Sequence, residues 1–211
     1  LGCVLPAGLG QAPARQASLA AGIPQAVPCT TVNKVCGSGM KTTMLGHDLL
    51  QAGTANIVLT GGMESMSGAP YLMPKARSGY RMGHQEVLDH MFWDGLQNPY
   101  DGNMMGHFAE QTAREYGFSR EDQDTFAIAS VNRAKDAAAN GRFDAEITPV
   151  TVRSRRAETV VSADEGPNVA DVDKIPKLRP AFAKDGTVTA ASSSSISDGA
   201  ASQTLMRASG P

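Results

Sequence analysis

Cysteine is scarce in this chain: only Cys3, Cys29 and Cys36 occur in 211 residues. An odd count, at spacings that fit neither a disulfide framework nor paired zinc knuckles, excludes a cystine-stapled secreted scaffold and predicts a reducing, cytoplasmic setting. An excess of charge is missing too. A net charge of −2 and a pI near 6.1 give no electrostatic case for nucleic acid or an anionic membrane surface. No apolar run approaches the length that crosses a bilayer, and Leu1-Gly2-Cys3 carries no basic start of a signal peptide. The absence of an initiator methionine predicts a chain that begins mid-protein. His47, His84, His90 and His107 share no ligand-like spacing with one another or with the cysteines, so no metal site is expected. Two nucleotide motifs are present only in part. Gly8 and Gly10 lack the third glycine of a dinucleotide fingerprint, and Met40 stands where a phosphate loop needs glycine before Lys41.

With 41% apolar residues the chain is globular material, enough for one large or two small cores. Its organising stretch is 31–53. Residues 31–35 (TVNKV) are β-prone, Cys36-Gly37-Ser38-Gly39 breaks the alternation, and Met40, Met44, Leu45, Leu49 and Ala52 fall on one helical stripe before Gly53. Cys36 is thus expected at the entrance to a helix, where free amide hydrogens favour an anion and so thiolate over thiol. The same residue also reads as a small buried cysteine at a tight turn.

Along the chain, 1–6 is a short apolar run, 14–21 reads as a helix closed by Gly22, and 57–60 reads as a buried strand ending in Gly61-Gly62. Strand, helix, strand predicts an α/β class with Cys36 at the carboxyl end of a βαβ strand, where sites in open sheets gather. From Ser67 to Asp101 regular alternation gives way to Gly, Pro, Met and aromatics, read as the opening of a second domain. Helices are expected over 104–116 and 120–139, the second entered through Ser119 and Asp122 as a capping box. A short strand is expected at 147–152, no strong pattern at 153–174, a return strand at 187–190 and an Ala-rich helix near 198–207.

Two long words, VNKVCGSGMKT (32–42) and IVLTGGMESMS (57–67), resemble the nucleophile segment of the thiolases, the acetyl-CoA acetyltransferase family. VLPAGLGQAPARQASLAAGIP (4–24), LRPAF with GTVTA (178–190) and SISDGAA (195–201) are similar to further family blocks in the same order. The resemblance implies a thiolase-like fold with a layered αβα core domain, partial here, and an inserted α+β loop domain. The implied boundaries are 1–67 for the N-terminal core without its first strand, 68–186 for the loop domain, and 187–211 for a return strand and helix, with the C-terminal thiolase domain absent.

The chemistry so implied is a reversible Claisen condensation of two acetyl-CoA to acetoacetyl-CoA and free CoA, or the reverse thiolysis, with Cys36 as nucleophile and coenzyme A thioesters as substrates rather than a permanently bound cofactor. A covalent acyl-cysteine splits one difficult reaction into two easier ones. The Cys36 amide is implied in the oxyanion hole on the thioester oxygen. Gly37 and Gly39 suit that crowded wall and equally suit a tight turn. Leu178, Ala181, Phe182, Ala190 and Ser194 match the family's CoA pocket, Leu96, Met104 and Met105 the wall near the acyl end, and Lys174 is placed to meet a CoA phosphate. Ordinary core packing is the alternative for Leu178, Phe182 and the methionines. Two departures stand out: no arginine lies near Val169, leaving Arg179 or Lys174, and Met104 stands where many relatives carry histidine.

The segment 70–91 (PYLMPKARSGYRMGHQEVLDHM) resembles the tetramerisation loop of biosynthetic-type thiolases and implies a homotetramer of the full-length enzyme; a loop covering its own domain is the alternative. The family's later Gly-His-Pro, Asn-Glu and Cys-x-Gly words, which carry the activating histidine, the asparagine and the second cysteine, do not occur. These 211 residues alone are therefore expected to be inactive. Three readings stand: a piece of an acyltransferase, a non-catalytic CoA-binding or assembly fragment, and a ketosynthase-like acyltransferase. No nucleic-acid or membrane partner is expected.

Overall fold

The computed structural model describes residues 1–155 and 157–208. Contacts divide the chain into two units: Leu1–Met104 with the segment that starts at Ser195, and Met105–Ser194.

In the first unit, helix α1 (Pro13–Ala20) opens on a proline and stops where Gly22 turns to φ +83°; there the Ile23 amide reaches back to the Ser18 carbonyl at 3.0 Å. Helix α2 (Ser38–Gln51) stops the same way, with Gly53 at φ +70° and the Thr54 amide on the Leu49 carbonyl at 3.0 Å. Strand β1 (Ile57–Ser65) pairs antiparallel with β6 (Asp198–Met206), from Ile57 opposite Met206 to Ser65 opposite Asp198. Gly2 bridges β1 at Gly62 and, on its other side, Val32, both parallel. Across this region the chain therefore runs in the order Val32, Gly2, β1, β6. The loop 70–91 carries the small pair β2 (Tyr71–Leu72) and β3 (Leu88–Asp89).

Helix α2 lies close on β1, and small residues permit it. A Cβ at Gly46 would come within 2.7 Å of the Thr60 methyl, while the Thr42 hydroxyl accepts the Gly61 amide hydrogen at 3.0 Å. The buried stripe is consequently Ser38, Thr42, Gly46 and Leu50.

In the second unit, α3 (Met105–Tyr116) ends at Gly117 and α4 (Arg120–Ala139) starts at the expected capping box, with the Ser119 hydroxyl on the Asp122 amide and the Asp122 carboxylate on the Ser119 amide, each at 3.0 Å. The Ser119 hydroxyl and amide hold the Asp122 carboxyl below the usual carboxylate range. Arg120 grips the buried Asp124 at 2.8 Å and reaches the Ile175 carbonyl at 3.0 Å, tying a 3₁₀ segment, Val172–Lys177, to α4. Strands β4 (Val150–Arg153) and β5 (Glu158–Val161) form an exposed hairpin, followed by the short α5 (Glu165–Val169).

Several expectations fail, each for a physical reason. The apolar stripe Met40, Met44, Leu45 and Leu49 is exposed, because the close approach of α2 to β1 at Ser38, Thr42 and Gly46 admits only small or hydroxyl side chains there, with Leu50 the one large residue of the buried stripe. Residues 31–35 form bridges at Val32 and Lys34 but no strand, and the first strand of the expected βαβ unit is replaced by the contact of Gly2 with both sides. β1 runs on to Ser65 with Ile57 and Leu59 exposed, so it is not buried throughout. Residues 187–190 are not a strand: they lead into a 3₁₀ turn, Ala190–Ser192, the Thr187 and Val188 amides are taken up by a side chain described below, and the Thr189 amide donates to the Ser192 hydroxyl at 3.0 Å. The Ala-rich segment 198–206 is β6 rather than a helix, since nine residues of pairing with β1 override alanine's local preference. That pairing is close enough that a Cβ at Gly61 would sit 2.1 Å from the Ala201 carbonyl oxygen. The hairpin lies mostly in a region where no pattern was expected; the residues of β4 and β5 are all exposed and so lack the in–out alternation that marks a strand.

Candidate active site

Cys36 is exposed, immediately ahead of α2, whereas Cys3 is buried. The turn that presents Cys36 is built from its neighbours. Gly37 and Ser38 donate their amides to the Lys34 and Val35 carbonyls at 3.1 and 3.0 Å. The buried Ser38 hydroxyl accepts the Lys34 amide at 2.8 Å and donates to the Val35 carbonyl at 2.6 Å. The Asn33 side-chain oxygen accepts the Val35 amide at 3.0 Å. Between these ties Val35 holds φ +47°, a left-handed conformation rare for a β-branched residue. No acceptor among the described residues takes the Cys36 amide hydrogen.

An open cleft of about 480 Å³ runs from Cys36 past Gly39 and Gly62 to Gly199 and Ala200. Gly2 forms part of its floor, where a Cβ would meet the Ser38 backbone at 2.7 Å. Glu64, also lining it, is tied down: its carboxylate accepts the Val4 and Leu5 amides at 2.8 Å each and lies 3.7 Å from the Cys3 sulfur. Burial, and then the Glu64 charge, push the Cys3 thiol up, away from the reactive thiolate. Neither histidine nor a second cysteine lines the cleft among the described residues. His90 is buried apart from it, donating from Nδ1 to Asp94 at 2.6 Å with Nε2 on the Ala7 amide at 3.3 Å.

The second unit arranges its candidates around one carboxylate. Glu110 on α3 is 1% exposed and accepts the Thr187 amide at 2.9 Å and the Val188 amide at 2.9 Å, with the Thr187 hydroxyl at 3.3 Å. A Cβ at Gly186 would lie 2.2 Å from that carboxylate, so only glycine lets the loop close over it. The Ala181 amide bonds the Val188 carbonyl at 2.9 Å, and the Phe182 ring lies directly against Gly106 on the first turn of α3. Ala181 and Phe182 thus belong to one locally braced group; Met105 begins α3 beside Gly106, and Ala190 begins the 3₁₀ turn after Val188. Ser192, Ser193 and Ser194 line a groove of about 670 Å³ with Phe118 and Phe126 of the α4 region. Leu178 is half-buried after the 3₁₀ segment, and Lys174 pairs with Asp171 at 3.0 Å on the surface. In the first unit, Leu96 ends a π-helical turn, Phe92–Leu96, and Met104 bridges Gln97 in the adjoining loop.

Residues 1–209 match the family described as Thiolase, N-terminal domain. The chain belongs to the thiolase family. It is 50% identical over 209 residues to a probable acetyl-CoA acyltransferase of Staphylococcus aureus strain COL, covering 98% of this chain and 53% of that protein. Among solved structures it is similar to the Acat5 thiolase of Ascaris suum, crystallised in complex with coenzyme A, at 41% identity and a TM-score of 0.88 over 98% of this chain and 52% of the other. It is also similar to the acetyl-CoA acetyltransferase of Syntrophomonas wolfei, at 41% identity and a TM-score of 0.90 over 97% and 52%. The chain spans about half the length of the curated relatives it matches. The partial α/β thiolase fold expected from the sequence is therefore the one observed.

In this thiolase chain, sequence reading missed the side chains that hold the site rather than meet a substrate. Asn33, Ser38, Glu64 and Glu110 each bond backbone amides of a loop, and no periodicity or motif spacing announces such bonds. The Gly186-Thr187 pair was the one legible trace of Glu110, because glycine marks close approach. Among the described residues no group of three His, Cys, Asp or Glu could hold a metal ion, and no helix is long and apolar enough to cross a membrane.

Proposed function

We propose that the protein carrying this chain is an acetyl-CoA C-acetyltransferase, and that Cys36 is its nucleophile. The single observation behind this is an exposed cysteine at the mouth of α2, opening on a cleft, within a chain of the thiolase family. The Cys36 sulfur attacks the thioester carbon of acetyl-CoA, the carbon–sulfur bond to CoA breaks, and CoA leaves as a thiol with the proton. The α-carbon of a second acetyl-CoA, having lost a proton to a base, then attacks the acyl carbon; a carbon–carbon bond forms and Cys36 is released. The uncommitted Cys36 amide supports a role in stabilising the oxygen that becomes negative.

Coenzyme A is assigned to Lys174, Leu178, Ala181, Phe182, Ala190 and Ser194, and the acyl end to Leu96, Met104 and Met105. Lys174 must leave Asp171 to meet a phosphate, a small cost for an exposed pair. The loop 70–91 supports a homotetramer, since Tyr71, Met73, Met82 and Val87 are exposed along it. A cytoplasmic location and the domain boundaries 1–67, 68–186 and 187–211 belong to the same reading. One observation favours the non-catalytic alternative for the 211 residues by themselves: among the described residues no histidine lines the Cys36 cleft to serve as base.

Mass spectrometry after mixing with acetyl-CoA tests both readings. A gain of one acetyl group on Cys36 in the full-length polypeptide, absent in Cys36→Ser and absent or slow in the 211-residue chain, is the expected result. No adduct on Cys36 in the full-length polypeptide overturns the nucleophile assignment.

A further inference from the structure

We infer that Asn33 and Ser38 are positioning residues for the Cys36 sulfur, acting by clamping Val35 in its left-handed conformation; this rests on the reading of Cys36 as nucleophile. Three observations meet here. Val35 sits at φ +47° although its β-branched side chain disfavours that region. Every polar tie on either side of it comes from these two side chains or from the turn they close: Asn33 takes the Val35 amide, and Ser38 joins the Lys34 amide to the Val35 carbonyl. Val35 is half-exposed, so burial of its side chain does less to hold that conformation than in a core residue, and the polar ties carry the rest.

The consequence concerns direction. Left to itself, Val35 would relax to a negative φ, and the chain after it would leave along a different line. Cys36 would then no longer stand immediately ahead of the first amides of α2. Strain held at a residue beside a reacting atom is a means of fixing where that atom points. Ser38 is suited to the task because its own amide begins the helix while its hydroxyl crosses back over the turn, which couples the start of α2 to the residue before the cysteine.

Alkylation of the 211-residue chain by iodoacetamide, resolved residue by residue with peptide mass spectrometry, reads this geometry without requiring acyl transfer. Cys29, whose thiol donates to the Val27 carbonyl, is the internal reference, and the buried Cys3 reports unfolding. Asn33→Ala and Ser38→Ala are each expected to lower the Cys36-to-Cys29 rate ratio about fivefold, the share a helix end contributes to an adjacent anion, with Cys3 still protected. Adding Val35→Gly to Asn33→Ala is expected to restore the ratio to within twofold of wild type, since glycine adopts a positive φ about as readily as a negative one. Val35→Gly alone is expected to stay within twofold as well, and it folds without strain. Unchanged ratios in both alanine variants, a fall in Val35→Gly, or failure of the double variant to recover each overturn the inference. Failure of acetyl-CoA to modify Cys36 with these ratios as expected would overturn the acyl-transfer reading alone.

Discussion

Two loops of this chain are fixed by side chains rather than by strand pairing, and the means differ. The loop at 186–188 closes over Glu110, a carboxylate buried to 1% exposure that draws in two backbone amides and a hydroxyl. The turn at 33–38 is held by an amide and a hydroxyl side chain, around an exposed and strained residue. A carboxylate suits a place where several donors converge and nothing reacts, because charge-assisted bonds are about twice as strong as neutral ones. Beside a sulfur proposed here to react as a thiolate, a fixed negative charge would oppose the charged form. Neutral groups hold the turn of Cys36 itself, Glu64, the carboxylate lining the same cleft, is committed to the Val4 and Leu5 amides, and Glu110 holds a loop far away in sequence.

The most forceful way to break this comparison is at Glu110. Glu110→Ala strands the Thr187 and Val188 amides in the interior, and each orphaned buried donor costs about 1–3 kcal/mol. A loss of about 3 kcal/mol in unfolding free energy is expected, read from the urea midpoint at unchanged slope. Asn33→Ala, on an exposed turn, is expected to cost less than a third of that. Equal losses would erase the distinction between a buried and a surface clamp.

The same contrast explains what could be read from the sequence. α1, α2 and α4 were legible nearly to the residue because their ends are local: Pro13, Gly22, Gly53 and the Ser119–Asp122 box act within one turn of themselves. β6 was not, since its alanines speak for a helix and the deciding information lies in β1, at Gly61, about 140 residues away. The place of Cys36 ahead of α2 was legible in the glycines that follow it and the helical pattern beyond them. Glu110 was not, because its partners lie 77 and 78 residues further on and a carboxylate on a helix ordinarily reads as solvent-facing. The buried stripe of α2 was misassigned for a related reason: periodicity identifies an apolar face, while contact with a sheet at glycine distance selects a small one.

A second test sharpens the comparison by exchanging one holder for the other kind. Asn33→Asp keeps an oxygen to accept the Val35 amide and adds the charge that the native turn avoids. The turn should persist, with Cys3 still protected, while alkylation of Cys36 relative to Cys29 slows about threefold at low salt. The deficit should shrink at about 0.5 M salt, where screening shortens to a few ångströms. An unslowed Cys36 would mean that the neutrality of Asn33 has no bearing on the sulfur.

The smallest effect is expected at Asp198, an exposed carboxylate in the unit of Cys36 that does hold a loop, through the Ser67 hydroxyl and the Ser67 amide, the latter at 2.9 Å. Ser67's hydroxyl, then its amide, holds the Asp198 carboxyl below the usual carboxylate range. A carboxyl whose pKa is lowered on folding contributes stability that is fully present above its unfolded value, near 3.9, and lost as pH falls through its folded value. Wild type should thus exceed Asp198→Asn in thermal midpoint by a constant small margin above about pH 5, and the margin should close below about pH 4. Asp198 begins β6, just ahead of the Gly199 end of the Cys36 cleft, and its carboxylate is bonded to Ser67 there. If Ser67→Ala, which frees that charge, slows alkylation of Cys36 while Asp198→Asn does not, the rule separating charged from neutral holders extends to the far side of the cleft.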